Sequence, residues 1–186
     1  MNDAKQTRSK DAELVAQAKA GNVEAYGELY ERYLDPIYRY IRTRVGENQV
    51  AEDLTEMVFL RTFERLDRYQ ERGHPFSSYL YRVARNQLVD HYRTKKDEVS
   101  LDAVQLVEHP GVSMDESVIK QDQVNKLRNA IQKLPEDYQD VIRFRILMDM
   151  PTVEAASWLG RSEGAVRVLL HRALHALREQ VKVHDE

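Results

Sequence analysis

Residues 152–177 read TVEAASWLGRSEGAVRVLLHRALHAL, in which two segments with helical periodicity are separated by a glycine. The first segment carries a short apolar stripe made of Val153, Ala156 and Leu159. Gly160 is suited to end this helix, while Thr152 and Ser162 are suited to cap the first and second helices. The second segment has a longer stripe, made of Val166, Leu169, Leu170, Ala173, Leu174 and Leu177. A short helix, a tight turn and a longer basic helix together predict a helix-turn-helix.

Helical periodicity continues through the first third of the chain. Its apolar stripes are Tyr26, Leu29, Tyr30 and Tyr33; then Ile37, Tyr40, Ile41 and Val45; then Leu54, Val58, Phe59, Thr62, Phe63 and Leu66. We expect a first helix that Asp11 caps and that Gly21 stops. Pro36 has no N–H and fits the first turn of a helix, so the pattern predicts that a new helix begins at Asp35-Pro36.

The middle of the chain predicts a charged loop and two further helices. Residues 67–75 contain a Gly and a Pro among charged residues, which is typical of a loop. Ser77 or Ser78 is suited to cap the next helix, which we expect to run to about Lys95. A later helix begins at Pro135, and its apolar stripe is Tyr138, Val141, Ile142 and Ile146.

Composition restricts the classes of protein that this sequence can encode. The 186 residues are 32% charged and 42% hydrophobic, with only 7 Gly and 5 Pro, which favours an all-α protein. The absence of Cys excludes disulfide scaffolds, thiolate zinc sites and cysteine nucleophiles. No apolar run approaches the length of a membrane span, and the first ten residues are polar, so we expect a cytoplasmic protein without membrane insertion.

Charge is distributed in blocks that divide the chain. Nine Lys and Arg residues against four acids lie between 61 and 96, and five against two lie between 161 and 182. Residues 97–117 contain six acids and no Lys or Arg. The sequence therefore predicts an N-terminal helical domain over residues 11–96, an acidic linker over 97–117, and a C-terminal helix-turn-helix domain over 118–182.

Several short motifs resemble those of one family. Residues 51–55 (AEDLT) with 58–61 (VFLR), and residues 76–86 (FSSYLYRVARN) with 90–93 (DHYR), are similar to two helices of bacterial sigma factors. Residues 134–136 (LPE), 160–167 (GRSEGAVR) and 171–173 (HRA) resemble their second DNA-binding domain. With two domains and a short linker, over about residues 14–177, the chain resembles the extracytoplasmic-function (ECF) group.

This resemblance implies a protein without catalysis or a cofactor of its own. It would bind RNA polymerase core at the clamp and flap regions of the large subunits, direct it to promoter DNA and help open the duplex. In the family, the helix with the AEDL motif docks on the clamp of the polymerase. By resemblance, the core-binding residues of this chain would be Asp53, Leu54, Glu56 and Val58. An inhibitor is also implied, commonly an anti-sigma factor that is in some cases bound to the membrane.

Aromatic and basic residues follow one another between Tyr69 and Arg93. Unpaired bases need stacking surfaces, and the DNA backbone needs cations. By resemblance, loop 67–77 would hold a flipped base of the minus-ten element. We expect Phe76, although it is aromatic, to be a core residue. The N-terminal DNA-binding residues would be Tyr69, Arg72, Tyr79, Arg82, Arg85, Asn86, Asp90 and Arg93, with Arg82, Arg85 and Arg93 on a broadly common face.

The helix-turn-helix supplies the residues expected at the minus-thirty-five element. These are Arg161, Ser162, Arg167, His171 and Arg172. Because arginine commonly reads guanine in the major groove, we assign base reading to Arg167 and phosphate contact to Arg172. The family's usual Thr, Ser and Arg are here Ala165, Val168 and Leu169, which leaves fewer polar groups for reading bases. Elsewhere Glu56-Met57 replaces Gln-Glu, and Tyr79 replaces Trp.

Two other functions remain open at the level of sequence. A regulator could bind an operator through the helix-turn-helix without polymerase, and a helical adaptor could bind proteins alone. Enzyme and metal sites are not indicated: His171 and His175 have a ligand spacing but no intervening glutamate, and no phosphate-binding glycine loop occurs. The pairs Asp90-His91 and His184-Asp185 lack companion ligands at helical spacing.

Overall fold

A computed structural model describes residues 3–71, 74–99 and 126–182, with the backbone alone at 3–8, 95–99 and 182. Within these ranges the regular elements are all helical, as the sequence predicts. The helices are α1 (Asp3–Lys19), α2 (Val23–Arg42), α3 (Asn48–Glu64), α4 (Phe76–Val99), α5 (126–132), α6 (Glu136–Ile142), α7 (Thr152–Leu159) and α8 (Glu163–Lys182). A 3-10 turn covers Leu66–Arg68, and a π-helical turn covers Arg143–Leu147.

Two predicted helix starts in the first domain are wrong. Asp11 lies inside α1 rather than at its N-cap, because its buried carboxylate accepts hydrogen bonds from Arg32 and Tyr33 of α2. Pro36 does not begin a helix either, since α2 is continuous from Val23 to Arg42. Burial of Tyr33 and Ile37 on either side of the proline holds the helix together despite the missing N–H. Gly21, at φ +94°, does end α1.

The N-terminal domain is built by packing α1 on α2, α2 on α3, and α3 on α4. The predicted cap of α4 is wrong, because Ser77 and Ser78 lie within its first turn and are buried. The Ser77 hydroxyl is hydrogen-bonded to that of Ser157 in α7, at 2.9 Å. A serine that looks like a cap in sequence is thus part of a contact between helices.

In the C-terminal domain α6 packs on α8, and α7 and α8 form the predicted helix-turn-helix. Gly160 adopts the left-handed conformation at φ +62°, and Ser162 caps α8 by accepting a hydrogen bond from the Ala165 amide at 3.2 Å. Thr152 is the first residue of α7 rather than its cap. Ile146 is 53% exposed instead of buried, because the π-helical turn changes the register and brings Phe144 inward.

The two domains contact each other through α4 and α7 and share one apolar core. Residues 97–99 of the expected linker continue α4, and residues 100–117 lie outside the described residues. Within residues 3–71, 74–99 and 126–182, every helix is too short or too polar to cross a lipid bilayer.

Candidate functional site

Helix α3 has a buried face and an exposed face, and the predicted core-binding residues are divided between them. Asp53 and Glu56 are exposed, Leu54 is half-buried, and Val58 is fully buried. Val58 therefore supports the helix from within the core and has no surface to offer a partner. Large apolar side chains complete the exposed face: Met57 at 39%, Leu60 at 52% and Phe63 at 47% exposed.

Three aromatic rings cluster where the loop after α3 meets α4. The Tyr69 ring centroid lies 5.5 Å from that of Phe76 and 4.9 Å from that of Tyr79. Tyr69 and Phe76 are buried, as predicted for Phe76, whereas Tyr79 is half-buried and presents part of its ring to solvent. Burial raises the pKa of Tyr79 above its usual value, while Arg65 and Arg82 lower it, so this phenol stays neutral and able to donate at physiological pH.

An exposed stripe on α4 continues from this cluster. Arg82, Asn86 and Arg93 are exposed and recur at helical spacing from Tyr79, so they lie on one side of the helix. Asp90 lies beside them, 3.4 Å from Arg61 Nη1 and 3.5 Å from Arg93 Nη2. The structure thus brings together four of the eight predicted residues on a surface and places Asp90 at its edge.

The other three predicted N-terminal residues are placed differently. Arg85 does not join Arg82 and Arg93 on the exposed stripe of α4. Its guanidinium group instead forms an ion pair with Glu136 of α6. Tyr69 is 7% exposed and acts as a support for Tyr79 rather than as a free stacking surface. Arg72 lies outside the described residues.

The predicted residues of the helix-turn-helix are all exposed. Arg167, His171 and Arg172 are all exposed on α8, as expected for the side opposite its apolar stripe. Arg167 is paired with Glu163 at 2.8 Å, and Arg161 is paired with Asp137 of α6. Both pairs are largely exposed, so they contribute little stability and leave the guanidinium groups free to exchange partners.

Sequence reasoning missed two groups that position these surfaces. Lys19, at the end of α1, donates to the backbone oxygens of Asp67, at 3.4 Å, and of Tyr69. Asp140 of α6 is fully buried between the domains and accepts hydrogen bonds from Tyr40 and Tyr81. For Asp140, the signal in the sequence was a charged residue next to the apolar pair Val141 and Ile142. Such a neighbour does not by itself indicate a partner.

Comparison with protein families matches both domains. Residues 29–98 match Sigma-70 region 2, and residues 125–177 match Sigma-70 region 4. The first range contains α3 and all of α4 except its last residue, and the second contains α7 and α8 as far as residue 177. The candidate surfaces described above therefore lie within the two matched regions.

Individual relatives agree with these matches. The chain is 34% identical over 167 residues to the ECF RNA polymerase sigma factor BldN of Streptomyces coelicolor, covering 89% of this chain and 63% of BldN. It is 30% identical over 174 residues to the ECF RNA polymerase sigma factor SigD of Mycobacterium bovis, covering 90% of this chain and 82% of SigD.

The fold is also similar to that of a solved sigma factor. The structure of RpoE from Bartonella quintana, in complex with the anti-sigma factor NepR, matches with a TM-score of 0.53 at 20% identity. The match covers 85% of this chain and 97% of RpoE. On the strength of the two family regions and the relatives that span most of its length, this chain belongs to the ECF group of RNA polymerase sigma factors.

Proposed function

We propose that this chain binds RNA polymerase core, directs it to promoter DNA and promotes strand opening, without catalysis of its own. The observation that carries the proposal is the exposed face of α3. Two carboxylates, Asp53 and Glu56, lie there beside the exposed apolar residues Met57 and Leu60, on the helix that bears the AEDL motif. A contiguous apolar surface with an acidic edge is typical of a protein-binding site.

The clamp of the polymerase is the partner that we assign to this face. Leu60 and Met57 would supply the apolar contact, while Asp53 and Glu56 would select a basic surface on the partner. Leu54, half-buried beneath them, sets the position of the face, and the buried Val58 is no longer part of the proposed contact. The flap region is assigned to the C-terminal domain by resemblance.

Strand opening is assigned to the surface that begins at Tyr79. Its partly exposed ring offers a stacking platform for an unpaired base, which is worth about 1–3 kcal/mol per base. Arg82 and Arg93 would contact the backbone of the same strand, and Asn86 lies between them to bond a base edge. This arrangement supports the capture of a minus-ten base by loop 67–77 and α4.

Recognition of the minus-thirty-five element is assigned to α8. Arg167 lies in its second turn, where recognition helices contact bases, and Arg172 and His171 lie farther along the exposed side. Arg161 and Ser162, in the turn before α8, would contact phosphates. On binding DNA, Arg167 would exchange its partner Glu163 for a guanine, so its guanidinium group would stay paired.

We assign two further properties on the same basis. An anti-sigma factor would inhibit this chain, in keeping with the complex of RpoE with NepR. The cytoplasm is the assigned location, because RNA polymerase works there.

Reconstituted transcription tests the proposal. Purified core would be mixed with the chain and a library of promoters, and transcripts would be sequenced from their start sites. Leu60→Glu should reduce affinity for core by tenfold or more, since a charge replaces an apolar contact at the centre of a face, worth about 1.4 kcal/mol or more. Val23 lies on α2 and is 64% exposed, compared with 52% for Leu60. Val23→Glu is therefore the matched control and should bind core with the affinity of the wild type.

The same experiment separates a sigma factor from a regulator. A sigma factor gains specific promoter binding only with core and yields transcripts from a defined set of promoters. A chain that protects a defined duplex site alone, and gives no transcript with core, would be a regulator and would overturn the proposal. A chain that binds neither core nor DNA would be an adaptor and would overturn it as well.

A further inference from the structure

A cavity of about 850 Å³ lies between the two domains. The domains pack on each other through aromatic rings: the ring centroid of Trp158 lies 5.8 Å from that of Tyr33, and the ring of Phe144 stacks on that of Tyr40 at 5.3 Å. The cavity walls come from the end of α2 and the turn before α3, from α4 and α5, and from the π-helical turn. This volume is within the range of about 300–1,000 Å³ that is usual for small-molecule sites.

Two enclosed arginines give the cavity wall an excess of positive charge. Arg44 and Arg143 line the cavity, and their side chains are 11% and 6% exposed. Both contact the same oxygen of Asp140, because Arg44 Nη1 lies 3.4 Å and Arg143 Nη1 lies 3.3 Å from Oδ1. The Tyr40 and Tyr81 hydroxyls also donate to this carboxylate, and burial raises the pKa of both phenols, so they carry no charge. Asp140 therefore balances one of the two guanidinium charges, and an enclosed charge without a partner is costly.

Other groups around the cavity also attract anions. Arg42 and Arg128 belong to its lining, and Arg128 is exposed. The N-terminus of α3 lies at the same wall, because Gly46 and Glu47, which line the cavity, directly precede it. The first turn of α3 contains no acid, and the peptide N–H groups at a helix start favour an anion. Among the lining residues that the structure describes, four arginines thus stand against one acid, the exposed Glu47.

The same cavity has an apolar and aromatic part. Tyr92, Leu127 and Leu147 line it and are 43%, 44% and 51% exposed. The Tyr92 hydroxyl donates to the backbone oxygen of Arg44, which holds the ring next to the enclosed arginines. An exposed aromatic ring beside cations can stack on a flat ring whose attached group is anionic. The lining is therefore suited to a molecule with a highly charged anionic end and a flat apolar end.

We propose that this cavity binds a nucleotide, with its phosphates on Arg42, Arg44, Arg128 and Arg143 and its base on Tyr92. A single carboxylate would engage one guanidinium group, whereas a di- or triphosphate offers oxygens to several at once. The site is separate from the surfaces proposed to contact polymerase core and DNA, because it shares no residue with them. Its occupation requires the free chain alone.

Calorimetric titration of the full chain tests the assignment of the base. ATP is the probe, and Mg²⁺ is left out because it binds phosphate oxygens. ATP should bind at a single site, and tripolyphosphate should bind severalfold more weakly because it lacks a ring to stack on Tyr92. Tyr92→Leu should abolish this difference between the two ligands. Tyr92→Phe, which keeps the ring and loses the hydroxyl, is the matched control and should retain it.

Arginine variants test the phosphate contacts in the same titration. Arg44→Gln should weaken ATP binding about tenfold or more, because it removes the charge that Asp140 leaves unbalanced. Arg128→Gln, at an exposed position, should weaken it about threefold. Arg178 is exposed on α8 and is not a lining residue, so Arg178→Gln is the matched control and should bind ATP as the wild type does. If Arg44→Gln fails to fold, Arg128→Gln and this control still decide the question.

Three results would overturn the proposal. The first is no binding at about 1 mM ATP, which corresponds to a very weak site. The second is equal weakening by Arg128→Gln and Arg178→Gln, which would mean that ATP binds to basic surfaces of the chain in general. The third is equal affinity for ATP and tripolyphosphate, or a preference for ATP that persists in Tyr92→Leu. Each result is obtained without core or promoter DNA, so it leaves the proposed function to be judged by transcription alone.

Discussion

Asp11 and Asp140 are two buried carboxylates with similar partners, yet they join different parts of the molecule. Each accepts hydrogen bonds from tyrosine hydroxyls and arginine guanidinium groups. Asp11 connects α1 to α2, which are neighbours in the sequence and in one domain. Asp140 connects α6 to α2 and α4, which belong to the other domain, so the same chemistry holds a domain together in one place and joins domains in the other.

The difference between the two sites lies in how well water can replace the protein partners. The Arg32 side chain beside Asp11 is 27% exposed, whereas Arg44 and Arg143 beside Asp140 are 11% and 6% exposed. An arginine at the surface can turn to water when its partner is lost, and an enclosed one cannot. The interdomain site is therefore the more sensitive of the two to loss of its carboxylate.

The largest effect is expected when the interdomain carboxylate is removed. Asp140→Ala leaves Arg44 and Arg143 enclosed without an acid, and we expect a loss of about 3–5 kcal/mol in the free energy of unfolding. Urea unfolding followed by Trp158 fluorescence measures it. Asp137→Ala, on the same helix but in an exposed pair, is the control and should lose about 1 kcal/mol or less. Equal losses in the two variants would remove the special role of Asp140.

A smaller effect is expected at the site within the first domain. Asp11→Ala leaves the Tyr33 hydroxyl unpaired and frees Arg32, and we expect a loss of about 1–3 kcal/mol. Urea unfolding followed by circular dichroism gives the value. Asp35→Ala is the control, since its pair with Arg39 is exposed and 4.0 Å long. If Asp11→Ala costs as much as Asp140→Ala, the proposed effect of solvent access is wrong.

The contribution of Asp11 to the free energy of unfolding should fall as the pH rises. Burial, the main cause, raises the pKa of Asp11 above its usual 3.8, although bonds to Tyr33 and Arg32 oppose the shift. Between the unfolded and folded pKa values the folded state binds more protons, so the contribution of Asp11 is full below 3.8 and is lost as the pH rises through the folded pKa.

That prediction is measured as a difference between two proteins. The unfolding free energy of the wild type minus that of Asp11→Asn should fall as the pH is raised from about 4 towards neutrality. A difference that rises with pH would mean that hydrogen bonding outweighs burial at this site.

The smallest effect is expected where α1 meets the loop before α4. Lys19→Met removes the donor to the backbone oxygens of Asp67 and Tyr69, and because Lys19 is exposed we expect a loss of only about 0.5 kcal/mol. Thermal unfolding by circular dichroism measures it, with Lys10→Met on the same helix as control. A loss above about 2 kcal/mol would place Lys19 among the principal supports of the domain.

Helices and their apolar faces were predictable from the sequence because both depend on near neighbours. The stripe from Tyr26 to Tyr33 and the helix-turn-helix around Gly160 are present as predicted. Caps were less predictable, since Ser77 bonds to Ser157, a residue 80 positions away. The buried side of α3 was predictable only in part from its period, because Phe63 of the predicted stripe is 47% exposed. Val58, which belongs to both the stripe and the predicted core-binding set, is fully buried.

The sequence by itself determined that this chain is all-α, that a helix-turn-helix lies near its end, and that its motifs are those of a sigma factor. Only the tertiary structure decided that Asp140, Trp158 and Arg85 join the two domains. The physical reason is range: helical periodicity and turn chemistry act over a few residues, so one sequence displays them. Burial and pairing of a charge depend on side chains about 60 to 100 positions apart, which the fold alone brings together.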